Sequence, residues 1–244
     1  MRAASARQER IGEIVARLAT SPLHTRQEAR FISTGLREVN DLFGGIPCGC
    51  ITEVIGEQSC GKTSLLLSTL ATATNNDETC ALIDTTDCFD IASAVAAEIE
   101  LSKLLWVRCA GNVEHAFKTV DFLLHGGGFG LIALDIGDVP ASYTNRIVSS
   151  WWYRFRHTIE NTRTAFIVIG QTPCALSAAA FVLELKKDAS VWSATSEFLP
   201  QKSPSVHTVS NLLIASRLYV ERRKPIFNSE FRALLVSRMF NQAS

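Results

Sequence analysis

Eight consecutive residues of this chain match the phosphate-binding pattern GxxxxGK[ST]. In order, they are Gly56, Glu57, Gln58, Ser59, Cys60, Gly61, Lys62 and Thr63. The glycines let the chain turn so closely that backbone N–H groups face a phosphate. The lysine places a positive charge at the β- and γ-phosphates, and the threonine hydroxyl can bind Mg²⁺. The spacing therefore predicts a nucleotide site with Lys62 at the phosphates and Thr63 as a metal ligand. The alternative is a glycine-rich turn that binds nothing.

The residues on either side of this phosphate motif are typical of the elements that must position it. Residues 51–55 form a β-branched run that predicts a strand, and residues 64–70 form a leucine-rich run that predicts a helix. A loop between a strand and a helix N-terminus lets the helix dipole add to the attraction for an anion. The context therefore favours the nucleotide site over the empty turn.

Three more polar residues, Asp84, Asp135 and Gln171, come at or just after the end of a short apolar run. The predicted strands are 51–55, 79–83, 104–107, 131–134 and 165–169, and the predicted helices are 89–99, 113–124 and 146–160. Apolar strands that alternate with helices indicate a parallel sheet covered on both faces. Ligands of such sheets bind at the carboxyl ends of the strands, so we expect these three side chains on the same edge as the phosphate motif.

Asp135 and Gln171 suit the remaining tasks of a nucleotide site. A carboxylate at a strand end can hold the shell of Mg²⁺, which predicts Asp135 as a metal-site residue; the alternative is an ordinary strand-terminal aspartate. An amide near a γ-phosphate can sense whether that phosphate is present, which is the role considered for Gln171. The alternative there is a turn residue before Pro173.

The composition excludes several classes of protein. The 244 residues carry 24 Lys plus Arg and 24 Asp plus Glu, so a nucleic-acid surface requires local segregation of charge. No apolar run approaches the roughly 20 residues of a membrane span, and residues 1–10 lack a secretory apolar core. The cysteines number seven, and this odd count predicts reduced thiols in a cytoplasmic protein.

The start of the chain differs from its alternating middle. Apolar residues from Ile11 to Leu18 follow helical spacing, so residues 1–30 are predicted as an amphipathic helix with a linker and residues 31–244 as the main domain. This helix either packs on its own domain or docks on a neighbouring subunit or partner.

The last part of the chain no longer alternates between strand-like and helical segments. Strand-like runs at 178–185, 212–220 and 231–236 have no helical segments between them, which predicts an antiparallel extension of the sheet. Residues 193–210 are polar and contain prolines, which is typical of an exposed loop.

Several segments resemble the core of the bacterial recombinase RecA. They are Ile32-Ser33-Thr34-Gly35, Gly44-Gly45-Ile46-Pro47-Cys48-Gly49, the strand leading into Gly56, Cys80-Ala81-Leu82-Ile83-Asp84 with its sequel to Asp90, and the strands ending at Asp135 and Gln171. The similarity runs from about residue 31 to about residue 240. It implies an α/β fold: a RecA-like core whose mostly parallel sheet is flanked by helices and carries an antiparallel C-terminal extension.

The resemblance implies ATP and Mg²⁺ as cofactors. The phosphate motif and Ser64 would bind ATP, and the adenine would be contacted near Asp90. Asp135 would belong to the Mg²⁺ site, and Gln171 would be a γ-phosphate switch coupled to DNA binding.

The chain departs from the recombinases at the catalytic base. Their water-activating glutamate corresponds to Thr86, which has no carboxylate, and Asp87 lies one residue further with a shorter side chain. Loss of a general base typically costs about 10²–10⁴-fold in rate. We therefore expect poor hydrolysis unless Asp87 or Asp84 substitutes, and Asp87 joins Lys62 and Gln171 as a candidate catalytic residue.

Further departures concern the DNA-binding loops of the recombinases. The loop after Asp135 is reduced to about residues 137–145, and the chain passes from Gln171 almost directly into the next strand. Little sequence remains beyond Phe231, so we expect no separate C-terminal domain. This profile resembles the ImuA-type (SulA/RecA-like) mutagenesis accessory proteins, which work with translesion polymerases.

These patterns lead to one main expectation about function. The protein would be a cytoplasmic, nucleotide-switched accessory factor in DNA repair, recombination or translesion damage tolerance (the SOS response), with weak ATP hydrolysis. The alternatives are an active single-stranded-DNA-dependent ATPase of recombination and a non-enzymatic interaction scaffold. The partners implied are single-stranded DNA, a translesion DNA polymerase or RecA-type protein, and further copies of the chain, with no membrane.

Two basic segments are candidates for contact with nucleic acid. Residues 151–157 mix aromatic and cationic side chains, a pairing used on single strands, although Trp151 and Phe155 are also spaced to pack on the sheet. That core packing is the favoured interpretation. Residues 222–224 are Arg-Arg-Lys, either a solvated hairpin or a cation source for a neighbouring subunit's ATP.

Overall fold

The computed structural model describes residues 30–144, 146–192, 213–224 and 232–238. The predicted N-terminal helix and the predicted loop at 193–210 lie outside these ranges and stay predictions. None of the helices in the described ranges is long and apolar enough to cross a membrane. No disulfide joins the cysteines.

The strands are β1 (Phe31–Ile32), β2 (Ile46–Pro47), β3 (Ile51–Ile55), β4 (Cys80–Asp84), β5 (Leu104–Arg108), β6 (Leu131–Asp135), β7 (Ala165–Gly170), β8 (Ala179–Trp192), β9 (Leu213–Lys224) and β10 (Arg232–Arg238). The helices are α1 (Arg37–Phe43), α2 (Lys62–Asn75), α3 (Ile91–Ala96), α4 (Val113–Gly126), α5 (Ala141–Thr144) and α6 (Ser149–Ile159), and a 3₁₀ turn spans Leu101–Lys103. β1 and β2 form a small antiparallel sheet of their own.

The large sheet has the strand order β10-β9-β8-β3-β7-β6-β4-β5. The strands from β8 to β5 run parallel, whereas β9 pairs antiparallel with both β8 and β10. This confirms the predicted α/β fold, with its mostly parallel sheet and antiparallel C-terminal extension.

One strand of the predicted extension differs from the expectation. β8 pairs parallel with β3, on the opposite side of β3 from β7. The chain leaves β7 at the carboxyl edge of the sheet and enters β8 at the amino edge, where Ala179 pairs with Ile51. Residues 171–178 must therefore cross back over β3, and we call this segment the crossover.

Two apolar layers cover the sheet. On one face, buried side chains of α1 and α2, including Leu70, pack with alternate residues of the strands. On the other face, Phe117 of α4 packs with Trp152 and Phe155 of α6. Trp152 and Phe155 are 2% and 0% exposed, and the partly buried Trp151 packs against Phe155, which confirms core packing for these three residues, whereas Tyr153 is 51% exposed.

Helix α3 is shorter than the predicted helix at 89–99. The backbone N–H groups of Cys88 and Phe89 donate to the Asp84 carboxylate at 3.1 and 2.9 Å, and this holds them outside the helix. Asp90 then caps α3, and Glu98 at its other end has a positive φ of 61°. The helix is therefore limited by hydrogen bonds and backbone geometry that alanine-rich composition does not reveal.

Candidate nucleotide-binding site

The carboxyl ends of the parallel strands bring the predicted residues to one edge. Asp84 at the end of β4 pairs in register with Asp135 at the end of β6. Ile55, the last residue of β3, pairs with Gly170, the last residue of β7. Gln171 follows directly after Gly170, so it lies at the same edge as the phosphate motif and both aspartates.

The phosphate motif forms the loop between β3 and the N-terminus of α2. Gly61, the N-cap residue, has φ of 90°, in the left-handed region that favours glycine, and no side chain caps the helix. The first N–H groups of a helix have no partner within it, and they lie at the positive end of its dipole. The loop and α2 thus offer the donors and the field that a phosphate requires.

The ammonium of Lys62 lies inside the curve of this loop. Its Nζ donates to the carbonyl oxygens of Gly56 and Glu57, at 2.7 Å for Glu57, and lies 3.7 Å from Cys60 Sγ. Lys62 is only 8% exposed, so these acceptors compensate the burial of its charge. Thr63 is exposed at the start of the helix.

The antiparallel extension packs directly against the loop. A Cβ atom at Gly56 would meet the carbonyl oxygen of Leu185 on β8, and one at Gly61 would overlap Cδ1 of Leu218 on β9. Leu185 and Leu218 are both buried. The shape of the loop therefore depends on strands far along the chain, and the motif alone does not reveal this contact.

Gly137 connects Asp135, the predicted metal-site residue, with Gln171, the predicted γ-phosphate switch. Its backbone N–H donates to Asp135 Oδ1 at 2.8 Å, and its carbonyl oxygen accepts from Gln171 Nε2 at 2.9 Å. A Cβ atom at Gly137 would lie 4.0 Å from Cε of Lys62. The strand-end carboxylate, the amide and the loop lysine are thus neighbours around one short backbone segment.

Burial raises the pKa of Asp135 from its ordinary value of 3.8 to about 6. The negative charges of Asp84 and Asp138 contribute to this raised pKa, while the Gly137 N–H and the Lys62 ammonium act in the opposite direction. Such a carboxylate is poorly solvated in the protein alone and would gain from a nearby cation.

No group of three or more His, Cys, Asp or Glu side chains within the described ranges could enclose a metal ion. Mg²⁺ bound with a nucleotide usually keeps several waters and takes one or two protein ligands besides phosphate oxygens. Thr63 and Asp135 offer a hydroxyl and a carboxylate for this purpose, so the chemistry of the residues fits the predicted ion.

The carboxylates near the position of the missing base are already engaged. Asp87 Oδ2 lies 3.0 Å from Arg108 Nη2, and Asp87 Oδ1 accepts from the Ala110 N–H at 3.3 Å. Asp84 accepts from two backbone amides and from Trp106 Nε1. A role for Asp87 as base remains a prediction, and it requires that Asp87 leave Arg108 and the end of β5.

Asp90 is the N-cap residue of α3. Its Oδ2 accepts from Ser93 N at 2.8 Å and from Ser93 Oγ at 2.6 Å. These hydrogen bonds, the side-chain one first, lower the pKa of Asp90 below its ordinary value. The structure explains Asp90 as a helix cap, and its contact with adenine remains a prediction.

The cations of segment 222–224 have partners within the chain. Arg222 lies over the rings of Phe43 and Phe181. Arg223 Nε is 3.5 Å from Glu184 Oε2. Lys224 Nζ donates to three backbone carbonyl oxygens of the crossover and β8, those of Leu176, Ser177 and Ala179.

Sequence reasoning missed Glu53 in the middle of β3. Glu53 is 1% exposed, and its Oε1 accepts from the N–H groups of Cys174 and Ala175 at 2.7 and 2.8 Å. A charged residue inside an otherwise apolar strand was the available signal, because a buried carboxylate requires partners.

Comparison with known proteins agrees with this architecture. The family model "RecA N-terminal domain" matches residues 12–173. Protein RecA of Ureaplasma parvum serovar 3 is 29% identical over 156 residues, 57% of this chain and 46% of that protein. Protein RecA of Ectopseudomonas oleovorans is 30% identical over 142 residues, 52% of this chain and 40% of that protein.

A third relative, protein RecA of Pseudomonas putida, is 29% identical over 164 residues, 61% of this chain and 46% of that protein. The chain thus spans about half the length of the curated relatives that it matches. The family match takes in the phosphate motif, the strand-end aspartates and Gln171. Because that match covers more than half of the chain, this protein belongs to the RecA family.

Proposed function

We propose that this protein binds ATP with Mg²⁺ and that the nucleotide switches its association with partners in DNA repair, recombination or translesion damage tolerance. One observation carries the proposal: Asp135 and Gln171 are joined through Gly137 next to the lysine of an uncapped phosphate loop. That arrangement links a candidate metal ligand to a candidate γ-phosphate sensor at one end of the sheet.

Each part of the site has a separate role in this proposal. Residues 56–64, with Lys62, hold the phosphates, and Thr63 with Asp135 holds Mg²⁺, which supplies positive charge at the phosphates when bound. Asp90 lies near the adenine. Gln171, whose amide hydrogen-bonds Gly137 beside Asp135, senses the γ-phosphate.

We propose that hydrolysis is weak. Thr86 offers only a hydroxyl, and its Oγ1 lies 3.4 Å from Cys88 Sγ. Asp87 is held by Arg108. Without a free carboxylate base the rate should fall by about 10²–10⁴-fold relative to an enzyme that has one.

The proposed setting is that of an ImuA-type accessory protein of the SOS response in the cytoplasm. Its partners would be single-stranded DNA, a translesion DNA polymerase or RecA-type protein, and further copies of the chain. The relatives carry the name RecA, and the short segments after Asp135 and Gln171 favour an accessory role over strand exchange. Residues 31–244 would be the ATP-binding core and residues 1–30 a separate helix and linker.

The test is ATP binding and ATP turnover measured with and without single-stranded DNA. The proposal expects Mg²⁺-dependent ATP binding and slow turnover that DNA changes little. Fast, DNA-stimulated turnover that Asp87→Ala abolishes would instead establish the ATPase alternative. No ATP binding, together with a stable partner complex, would establish the scaffold alternative.

A further inference from the structure

The crossover has to satisfy its backbone while it passes over a buried strand. β3 spans five residues, and residues 171–178 return along its whole length from the carboxyl edge to the amino edge. Backbone N–H groups in such a position need acceptors. The side chains of Ala175 and Ala178 are buried in the same apolar layer as Ile51 and Ile55, so the crossover lies close against the sheet.

Glu53, on the strand that the crossover passes over, provides an acceptor for two of these N–H groups. It points to the same face as Ile51 and Ile55, and a single oxygen, Oε1, accepts from both Cys174 and Ala175 across more than 120 residues of sequence. Its second oxygen, Oε2, is buried as well. Burial, and then the charge of Glu53, raise the pKa of the Cys174 thiol well above its ordinary value.

The second half of the crossover is held by hydrogen bonds from β9 and α6. Lys224 Nζ on β9 donates to the carbonyl oxygens of Leu176 and Ser177 at 3.3 and 3.5 Å, and to that of Ala179. Tyr153 on α6 hydrogen-bonds the Ser177 hydroxyl. Between these attachments Leu176 has φ of 48°, and its side chain is 66% exposed.

The first residue of the crossover is Gln171. β3 continues for two residues beyond Glu53 and ends at Ile55. Gly56, the first residue of the phosphate loop, follows directly. Two connections therefore join the nucleotide edge to the crossover: Gln171 through Gly137, and Glu53 through β3.

We infer that Glu53 is the positioning residue that couples the phosphate loop to the crossover, so that nucleotide binding orders residues 171–178 and the exposed Leu176. This inference rests on the proposed ATP site. Glu53 acts through the backbone of Cys174 and Ala175 and does not touch the nucleotide. If the two hydrogen bonds to Glu53 are removed, ATP binding at the phosphate loop should protect the backbone of the crossover less, even in a folded protein.

The test is hydrogen–deuterium exchange of the peptide covering residues 171–178, with and without saturating ATP and Mg²⁺. In the wild-type chain, ATP should slow this exchange by about fivefold or more. Glu53→Gln should keep the effect, because the amide oxygen still accepts both N–H groups. Glu53→Leu should lose most of it, and Glu53→Asp, whose carboxylate is too short to reach, serves if the leucine variant does not fold.

The control is Glu114→Gln, which removes an exposed carboxylate of α4 and should leave the effect of ATP unchanged. A folded Glu53→Leu or Glu53→Asp variant with the full wild-type effect of ATP would overturn the coupling. So would a wild-type chain that binds ATP without any change in the crossover. Absence of ATP binding in the wild-type chain is a different result, because it overturns the proposed function itself and the coupling with it.

Discussion

Gly137 shows how a residue without a side chain can organise a site. Its N–H holds the Asp135 carboxylate and its carbonyl holds the Gln171 amide. A change at either side chain can therefore reach the other through the backbone of a single residue. The sequence predicted Asp135 and Gln171 from their places at strand ends, but no pattern pointed to the backbone that joins them.

Because Thr86 stands where a carboxylate base is expected, a carboxylate placed there should increase ATP hydrolysis. Thr86→Glu restores a carboxylate where the chain has a hydroxyl, and it should raise ATP turnover by about 10²-fold, the lower end of what a general base contributes. Thr86→Gln is the matched control and should leave turnover low. Turnover is measured by phosphate release at saturating ATP. Unchanged turnover in a Thr86→Glu variant that still binds ATP would contradict this account.

The raised pKa of Asp135 predicts how this residue affects stability. Its pKa is about 6 when folded and 3.8 ordinarily, so the folded chain binds the proton more tightly and loses stability as pH rises through this window. Asp135→Asn keeps an oxygen for the Gly137 N–H and removes the buried charge. At pH 7.5 it should therefore be more stable by about 3 kcal/mol in urea unfolding.

That gain should shrink as pH falls and should disappear near pH 3, below both pKa values, where the wild-type carboxyl is largely protonated in both states. The same variant should bind ATP less tightly in the presence of Mg²⁺, because the amide cannot offer a negative oxygen. Equal stability of the two proteins at pH 7.5 would show that the charge of Asp135 carries no folding cost.

At the scale of elements, apolar runs predicted the central strands well. β4, β6 and β7 are buried throughout or nearly so, and a continuous apolar run is the direct signature of such a strand. Helix ends were harder to predict, as α3 shows: the Asp84 carboxylate accepts from the Phe89 N–H and holds Phe89 outside the helix. That interaction needs the loop after β4 to fold back, which local propensity does not encode.

The contact between β9 and the phosphate loop gives an element-scale prediction. Gly61→Ala should destabilise the protein by about 3 kcal/mol, because its Cβ overlaps Leu218 and alanine disfavours φ of 90°. Leu218→Ala should cost about 2–5 kcal/mol through the cavity that it leaves.

In the Gly61→Ala/Leu218→Ala double variant the overlap is gone, so the total loss should be smaller than the sum by about 1 kcal/mol or more. Urea unfolding of the four proteins gives this coupling. Strict additivity would mean that β9 does not constrain the loop. A pair of distant exposed positions, Lys118→Ala on α4 with Arg37→Ala on α1, is the additive control.

At the scale of the whole molecule, the sheet joins the nucleotide edge to the antiparallel extension. β3 lies between β7 and β8, and Leu185 and Leu218 of the extension contact the loop that follows β3. The sequence predicted that the last strands extend the sheet. It did not predict that β8 pairs parallel with β3, because that pairing depends on contacts more than 120 residues apart.

The same distance explains why Glu53 escaped sequence reasoning. Its partners, Cys174 and Ala175, follow a different strand, and only the path of the crossover brings them to β3. The sequence pointed to the residues that a local motif encodes, but not to those whose partners depend on topology. Leu185 and Leu218, which belong to the second group, lie against the phosphate loop itself.

The most direct test is ATP affinity of the wild-type chain and of Lys62→Ala, measured by calorimetry with Mg²⁺, with far-ultraviolet circular dichroism to check folding. We expect the wild-type chain to bind ATP and Lys62→Ala to lose about 100-fold or more in affinity, since a charge-assisted contact at the phosphates is removed. Lys118→Ala, which removes an exposed lysine of α4, should bind as the wild-type chain does. Equal ATP affinity in a folded Lys62→Ala variant would contradict the account.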